Sequence, residues 1–278
     1  EDVEGIAREK AAIFAGLRAG GTAIYNADVE TAPILGVAAE RAGQSVAFGT
    51  RDAADWCAAK VSVSANTTEV QLQSPLGPLA FGLATDGGHF GLNAVAALAA
   101  VDALGADAKR AACDLSDWRP QAGRGQREEI QLRLTSGLAR IDLIDDAYNA
   151  NPASLGAALD VLGAIETTRR RVAVLGDMLE LGPTSEDLHK AMVDHPAMSR
   201  IALVHTAGPL MRSLHGVLPS RQKGRWAENA SALAAEASDL IANGDIVLVK
   251  GSKGSRISLF VDAMRKLGHP LPEDESEV

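Results

Sequence analysis

The sequence predicts an α/β protein in which a mixed-sheet domain precedes a doubly wound domain, and three observations support this prediction. The length of 278 residues corresponds to two domains at roughly 150 residues each. Short alternating strands at residues 60–84, separated by turn residues, are typical of a β-meander. Beyond residue 126, apolar strands alternate with helices, which favours a mostly parallel sheet covered on both faces.

The first predicted domain begins with an amphipathic helix at Gly5–Leu17, because Ile6, Ile13 and Phe14 recur at helical spacing. The later elements follow from the alternation of apolar and polar residues and from the turn residues between them. They are strands at Thr22–Asn26 and Ser45–Gly49 around a helix at Val29–Ala42, meander strands at Lys60–Ser64, Glu69–Gln73 and Leu79–Ala84, and helices at Gly91–Leu104 and Ala106–Leu115.

The segment Asp117–Gln126 is the predicted linker, because it combines a proline, two glycines and polar residues. We place the boundary near Arg119, between domains at residues 1–118 and 119–278. The second domain has predicted strands at Glu129–Leu134, Ala139–Ile144, Arg171–Leu175, Arg200–His205 and Ile246–Val249, and helices at Ala153–Ile165, Ser185–Val193, Pro209–Val217, Ala230–Ala242 and Ser255–Leu267. We expect the acidic tail Glu273–Val278 to fray.

Composition limits the classes of function. Hydrophobic residues make up 46% of the chain, so packed cores can form, and the net charge of −9 argues against a general nucleic-acid binder. Only Cys57 and Cys113 are present, which excludes a disulfide framework or a cysteine-rich metal cluster. No apolar run approaches the ~18 residues of a membrane span, and the acidic start does not resemble a signal peptide. We therefore expect a soluble, cytoplasmic protein.

Polar or glycine-rich loops follow four of the predicted parallel strands. They are Asp145–Pro152, Gly176–Gly182, His205–Gly208 and Lys250–Arg256. Ligands of doubly wound sheets bind at the carboxyl ends of the strands, so we expect these loops to share one edge and one site.

The Lys250–Arg256 loop carries three cations, Lys250, Lys253 and Arg256, together with glycines and serines that include Ser252. Backbone N–H groups and a following helix N-terminus favour an anion there, so the loop is a candidate site for a carboxylate or phosphate. The alternative interpretation is a solvated basic turn.

The acidic loops Asp145–Pro152 and Gly176–Gly182 contain residues that are candidates for ligand binding and residues that are candidates for local structural contacts. We expect Asp146 and Asn149 to face a ligand, whereas Asn151 caps the next helix with proline at its first position. For Asp177 and Glu180, binding of a substrate ammonium and pairing at the surface remain equally open.

Candidate residues of the first domain lie on helices. His89 and Asn93 are four apart and share a face near a helix start, where local capping is the alternative. Lys10 lies on the stripe of Ile6 and Phe14; burial there lowers the pKa of a lysine amine and leaves it available for modification or for pairing with an anion. The alternative is a lysine that snorkels at the edge of the stripe.

Three familiar motifs are missing from the sequence. It contains no G-x-x-x-x-G-K-[ST] phosphate loop, no G-x-G-x-x-G after a strand and no G-x-S-x-G nucleophile elbow. The absence of the dinucleotide motif disfavours an oxidoreductase with a nicotinamide cofactor. A non-catalytic module that binds a nucleotide or a dipeptide stays open as an alternative to an enzyme.

Three strings of the sequence resemble the Mur ligases: DDAYNANP at residues 145–152, LGDMLELG at 175–182 and LVKGS at 248–252. Gly88-His89, Gly123-Arg124-Gly125-Gln126 and the opening Val3–Lys10 follow the order of that family. Within it, the strings are similar to the member that joins D-alanyl-D-alanine to UDP-N-acetylmuramoyl-tripeptide. The resemblance covers essentially the whole chain.

The resemblance implies a domain assignment. Mur ligases have a UDP-binding domain, a central ATPase domain and a Rossmann-like C-terminal domain. Residues 1–118 correspond to the C-terminal part of the central ATP-binding domain, and residues 119–278 to the C-terminal domain, with a hinge at Arg119–Gly125. The uridine-binding domain, the phosphate loop and the His/Glu magnesium ligands have no counterpart in this sequence, so we expect the chain to be inactive alone.

The resemblance also implies a reaction, which is ATP-dependent and Mg²⁺-dependent amide formation through an acyl phosphate in peptidoglycan precursor synthesis. Lys10 corresponds to a carbamylated lysine that helps to hold the second magnesium. The implied nucleotide-binding residues are His89, Asn93, Arg124, Asp146, Tyr148, Asn149 and Asn151. The implied substrate-binding residues are Asp177, Glu180, Lys250, Ser252, Lys253 and Arg256.

Overall fold

The computed structural model describes residues 2–64, 67–85, 87–135 and 137–270. The chain forms two compact units, Glu1–Arg119 and Pro120–Val278. The division between them falls inside the Asp117–Gln126 segment. The predicted acidic tail Glu273–Val278 lies outside the described residues. Within the described ranges, no helix has the length and apolar character needed to cross a membrane.

The first unit is built on a mixed sheet, as predicted. Its described elements are α1 (Val3–Ala11), β1 (Thr22–Asn26), α2 (Ala32–Ala42), β2 (Gln44–Gly49), β3 (Trp56–Ser64), β4 (Thr67–Ser74), β5 (Gly77–Leu83), α3 (Gly88–Ala103) and α4 (Ala108–Asp114). The strands lie in the order β1-β2-β3-β4-β5, parallel from β1 to β3 and antiparallel from β3 to β5. The β-meander is therefore confirmed.

Helix α3 packs closely on this sheet through Gly91. A Cβ atom at Gly91 would lie only 2.8 Å from Cγ2 of Val70 on β4. The core between the helix and the sheet contains fully buried Trp56 of β3 and Val95 and Leu98 of α3. One face of the long alanine-rich helix is thus packed closely against the sheet.

The prediction of one continuous helix at Gly5–Leu17 is wrong. The α-helix ends at Ala11 and a 3₁₀ turn follows at Ala12–Gly16. Helix α1 packs against α2 through Ala7 and Ala11, which are its buried residues, whereas Ile6 and Ile13 are exposed. Small side chains, rather than the large apolar ones of the predicted stripe, form the contact face.

The second unit is a doubly wound domain. Its described elements are β6 (Gln126–Leu134), β7 (Gly137–Asp146), α5 (Pro152–Ala164), β8 (Arg171–Gly176), α6 (Ser185–Ala191), β9 (Leu203–Ala207), α7 (Met211–Val217), β10 (Lys223–Ala227), α8 (Ala230–Ala235), α9 (Ala237–Leu240), β11 (Ile246–Lys250), α10 (Ser258–Leu267) and β12 (Gly268–Pro270). The strand order is β10-β9-β8-β11-β7-β6-β12, with β10 to β7 parallel. Separate apolar clusters cover its two faces.

Three features of this unit depart from the prediction. Strands β10 and β12 were not predicted, because a segment such as Lys223–Ala227 has no apolar alternation and lies at the edge of the sheet. The predicted helix Ala230–Ala242 is broken at Glu236 into α8 and α9. Helix α10 begins at Ser258 rather than Ser255, because a 3₁₀ turn at Lys253–Ser255 and a left-handed Arg256 come first.

Strand register brings the predicted loops to a common edge. Lys250, the last residue of β11, is paired with Asp146 of β7 and Leu175 of β8, and Gly176 is paired with Ala207 of β9. The expectation of a shared carboxyl edge is therefore confirmed for the described loops. The predicted loop His205–Gly208 is shorter than expected, since β9 runs to Ala207.

A buried histidine on β9 makes the second unit sensitive to acid. Nδ1 of His205 accepts a hydrogen bond from the backbone N–H of Arg225 at 3.0 Å. Burial, assisted by the positive charge of Arg170, lowers the pKa of His205 from 6.5 to about 4. The folded protein therefore keeps this imidazole neutral at pH values at which the unfolded chain binds a proton.

Because the folded pKa lies below the unfolded one, this contribution to stability is complete above pH 6.5 and is lost as the pH falls towards 4. We predict a loss of about 3 kcal/mol in the free energy of unfolding across this window. Urea unfolding followed by circular dichroism at pH 4 to 7 measures it. The variant His205→Gln should show a flatter pH dependence, and an unchanged slope in that variant would contradict the assignment.

Candidate functional site

A buried ion pair joins two neighbouring strands at the carboxyl edge of the second unit. Nζ of Lys250 donates to Oδ2 of Asp146 at 2.6 Å and to the backbone carbonyl of Asn149 at 3.0 Å. The side chain of Lys250 is 4% exposed and that of Asp146 is 22% exposed. Lys250 therefore holds the acidic loop in place. Of the three cations of the Lys250–Arg256 loop, Lys250 is thus paired within the protein, whereas Lys253 and Arg256 are exposed.

The carboxyl of Asp146 is both paired and partly desolvated. Burial raises the pKa of Asp146, and the positive charges of Lys250 and Arg124 oppose this shift. Lys250 occupies Oδ2, and no donor among the described residues is recorded for Oδ1. A carboxylate accepts several hydrogen bonds, so Asp146 has capacity for a hydroxyl group of a ligand.

An aromatic ring stands beside this carboxylate. Tyr148 is 46% exposed, and the guanidinium carbon of Arg124 lies 4.4 Å from the centre of its ring. Nζ of Lys253 lies 5.9 Å from the same centre. The backbone N–H of Tyr148 donates to the carbonyl of Gly123 at 2.9 Å, which fixes the ring against the Arg124 segment. Two cations therefore flank one solvent-facing ring.

The two asparagines of the acidic loop have different environments. Asn149 is exposed at the edge, and its Oδ1 accepts the backbone N–H of Ala150 at 3.0 Å. Asn151 forms a capping box with Ser154, because each side chain accepts the backbone N–H of the other residue. The predicted cap is confirmed, and the side chain of Asn151 serves helix α5.

Ser252 connects three loops of the edge. Its Oγ accepts the backbone N–H of Leu179 at 2.8 Å and donates to the carbonyl of Ala150 at 3.1 Å. Its own N–H donates to the carbonyl of Asp177 at 2.9 Å. Ser252 is buried, so its contacts position the loops around a ligand rather than reach outwards.

The side chain of Asp177 points into the protein and not towards a ligand. Its carboxylate is buried and accepts the backbone N–H groups of Met211, at 2.7 Å, and Leu210, at 3.3 Å. Burial raises the pKa of Asp177, and these N–H groups oppose the shift. Both earlier alternatives, an ammonium ligand and a surface pair, are replaced by a cap on the first turn of helix α7.

Glu180 and Arg256 share an uncommon backbone conformation. Their φ angles are +63° and +57°, and they are the non-glycine residues with positive φ in the described chain. Both side chains are exposed on loops that Ser252 links. Strain of this kind clusters at binding and catalytic sites, so these two residues stay in the candidate set with Lys253.

One residue of the edge was missed by the sequence reasoning. His189 of α6 is completely buried and accepts the backbone N–H of Met178 at 2.9 Å through Nε2. Its short helix carries no motif, so the only signal in the sequence is its position seven residues after Gly182, the end of the LGDMLELG string, and that signal is weak.

The first unit holds three candidates. His89 and Asn93 are exposed on α3, one turn apart, as predicted. Lys10 is not buried: its side chain is 71% exposed and Nζ lies 3.7 Å from Glu9, because the buried face of α1 consists of alanines. Among the described residues no three histidine, cysteine or carboxylate side chains cluster to hold a metal ion.

Two protein-family models match this chain. The Mur ligase middle domain matches residues 1–101, and the Mur ligase, glutamate ligase domain, matches residues 131–253. The second of these segments includes the strings at 145–152, 175–182 and 248–252.

Individual proteins are similar over most of the chain. The UDP-N-acetylmuramoyl-tripeptide–D-alanyl-D-alanine ligase of Escherichia coli K12 is 32% identical over 275 residues, covering 95% of this chain and 56% of that protein. The enzyme of the same name from Bacillus subtilis 168 is 32% identical over 262 residues, covering 93% and 54%. The MurF ligase of Thermotoga maritima, solved in complex with ADP, superimposes with a TM-score of 0.75 at 20% identity, covering 95% and 58%. The chain spans about half the length of the curated relatives it matches.

The Lys250–Asp146 pair should dominate the local stability of the edge. We predict that Lys250→Met lowers the free energy of unfolding by about 2–3 kcal/mol, less than the ~3–5 kcal/mol of a fully buried pair, because Asp146 keeps some contact with water. The double variant Lys250→Met/Asp146→Asn should recover part of this loss. Urea unfolding measures it, with the exposed Lys253→Met as the control; equal effects of the two lysine variants would refute the assignment.

Proposed function

The chain belongs to the Mur ligase family, and we propose that it serves an ATP-dependent ligase that joins D-alanyl-D-alanine to UDP-N-acetylmuramoyl-tripeptide in peptidoglycan precursor synthesis. The observation that carries this proposal is the cross-linked edge of the second unit, where all three family-like strings meet through Lys250 and Ser252. Relatives that bear this enzyme name support it at 32% identity. Because the reaction consumes ATP, we propose the cytoplasm as its compartment.

The proposed nucleotide contacts lie on the acidic loop and on the segment before β6. Oδ1 of Asp146 accepts a ribose hydroxyl, while Lys250 fixes the other oxygen. Arg124, stacked on Tyr148, directs its charge towards the phosphates. His89 and Asn93 of α3 are kept as separate nucleotide-binding candidates of the first unit. ATP, when bound, supplies the phosphoryl group that activates the carboxylate of the tripeptide.

The proposed dipeptide contacts use the exposed charges of the other two loops. D-alanyl-D-alanine carries an ammonium group and a carboxylate. Glu180 offers the negative charge for the former, and Lys253 and Arg256 offer the positive charge for the latter. Holding the amine in a fixed orientation next to the activated carboxyl turns a bimolecular step into an effectively intramolecular one.

The described residues do not form a magnesium site on their own. Lys10 would contribute a single ligand as a carbamate, and no metal-binding cluster surrounds it in the described part of the chain. We therefore assign no step of this chain to Mg²⁺. The assignment of residues 1–118 and 119–278 to the central and C-terminal domains is likewise part of the proposal, supported by the two family models.

The test is ligation by the product of the complete reading frame from which this chain comes. We predict ATP-dependent coupling of D-alanyl-D-alanine to UDP-N-acetylmuramoyl-tripeptide, measured as phosphate release and product mass. Glu180→Gln should raise KM for the dipeptide about tenfold, the effect expected for one charge-assisted contact. The matched control is Glu166→Gln, an exposed carboxylate on the loop that precedes β8.

The 278-residue chain alone should give no turnover, because its sequence contains no phosphate loop. Absence of ligation by the complete product would overturn the proposed function. Turnover by the 278-residue chain would overturn the expectation of an inactive part. Equal effects of the two glutamate variants would remove Glu180 from the dipeptide site.

A further inference from the structure

A fully buried histidine holds the loop that follows β8. We define the β8 loop as residues 177–182. Nε2 of His189 accepts the backbone N–H of Met178 at 2.9 Å, and Nδ1 lies 2.6 Å from the carbonyl of Ser185. An N–H group only donates and a carbonyl only accepts, so the proton of the neutral ring sits on Nδ1. The imidazole therefore bridges helix α6 and the β8 loop.

The β8 loop has a strained backbone conformation at Glu180, two residues after Met178. Glu180 and Gly182 have φ angles of +63° and +71°, and a left-handed glutamate is unfavourable without support. The N–H of Met178 is bound by His189 and the N–H of Leu179 by Ser252. These two consecutive bonds fix the chain immediately before Glu180. Strained residues persist only where their surroundings over-determine them.

We propose that His189 is a positioning residue that, together with Ser252, holds the β8 loop so that the carboxylate of Glu180 stands at the edge of the sheet. His189 touches no ligand in this scheme and acts through the backbone of Met178. Its effect on the reaction rests on the proposed function of Glu180, whereas its effect on the loop does not. The two effects are therefore measured separately.

Two conservative variants separate hydrogen bonding from packing. The side-chain oxygen of His189→Gln reaches about as far as Nε2 and retains the acceptor for Met178. His189→Asn places its amide near Nδ1 and retains only the contact with Ser185. His189→Leu fills the space and leaves both backbone groups without their partner, which is costly for buried polar groups.

The first readout is hydrogen exchange of the 278-residue chain. In His189→Leu and His189→Asn, the amides of Met178 and Leu179 should exchange at least tenfold faster than in the wild type, with the amides of β8 changed less than threefold. His189→Gln should restore exchange to within threefold. Unchanged exchange at Met178, or an equal acceleration throughout the second unit, would overturn the positioning role.

The second readout is kinetics of the complete gene product. His189→Leu should raise KM for D-alanyl-D-alanine about tenfold and change kcat at saturating dipeptide less than threefold, with His189→Gln close to the wild type. The control Gln222→Leu removes another buried side chain that binds two backbone groups and should leave KM unchanged. If exchange responds but KM does not, the positioning role in catalysis is wrong. If the wild type does not ligate, the proposed function fails and the exchange result still decides the role in the loop.

Discussion

The bond between Lys250 and Asp146 is the constraint on which the carboxyl edge of the second unit depends. Parallel pairing of β11 and β7 places the two residues side by side at the ends of their strands, and the ammonium also binds the carbonyl of Asn149. A buried amine is tolerated only with such partners, because an unpaired charge is costly to desolvate. The pair thus ties the acidic loop to the sheet and leaves one oxygen of Asp146 for a ligand.

Hydrogen bonds from buried residues extend this constraint to the neighbouring loops. Ser252 joins the loops after β7, β8 and β11, and His189 anchors the loop after β8 from behind. Exposed charges at the edge include Arg124, Glu180, Lys253 and Arg256. Glu180 and Arg256 have positive φ angles. A rigid, buried framework that presents a few exposed charges of both signs suits a small zwitterion.

The sequence predicted this edge well and the contacts within it less well. Alternation of apolar strands and helices was sufficient to place the loops after β7, β8 and β11 at one edge, because parallel pairing aligns strand ends. It could not show that Lys250 faces Asp146 instead of a ligand, or that Asp177 caps α7, because both contacts join residues distant in sequence. The helical periodicity also predicted, wrongly, that Lys10 is buried, because alanines form the buried face of α1.

The most direct test of the account is an NMR titration of the 278-residue chain with D-alanyl-D-alanine and, separately, with AMP at millimolar concentration. The account predicts that the dipeptide shifts amide resonances of residues 177–182 and 251–256, and that AMP shifts those of residues 146–151. Shifts confined to the opposite edge of the sheet, or no shifts with either compound, would contradict the assignment of this edge as the ligand site.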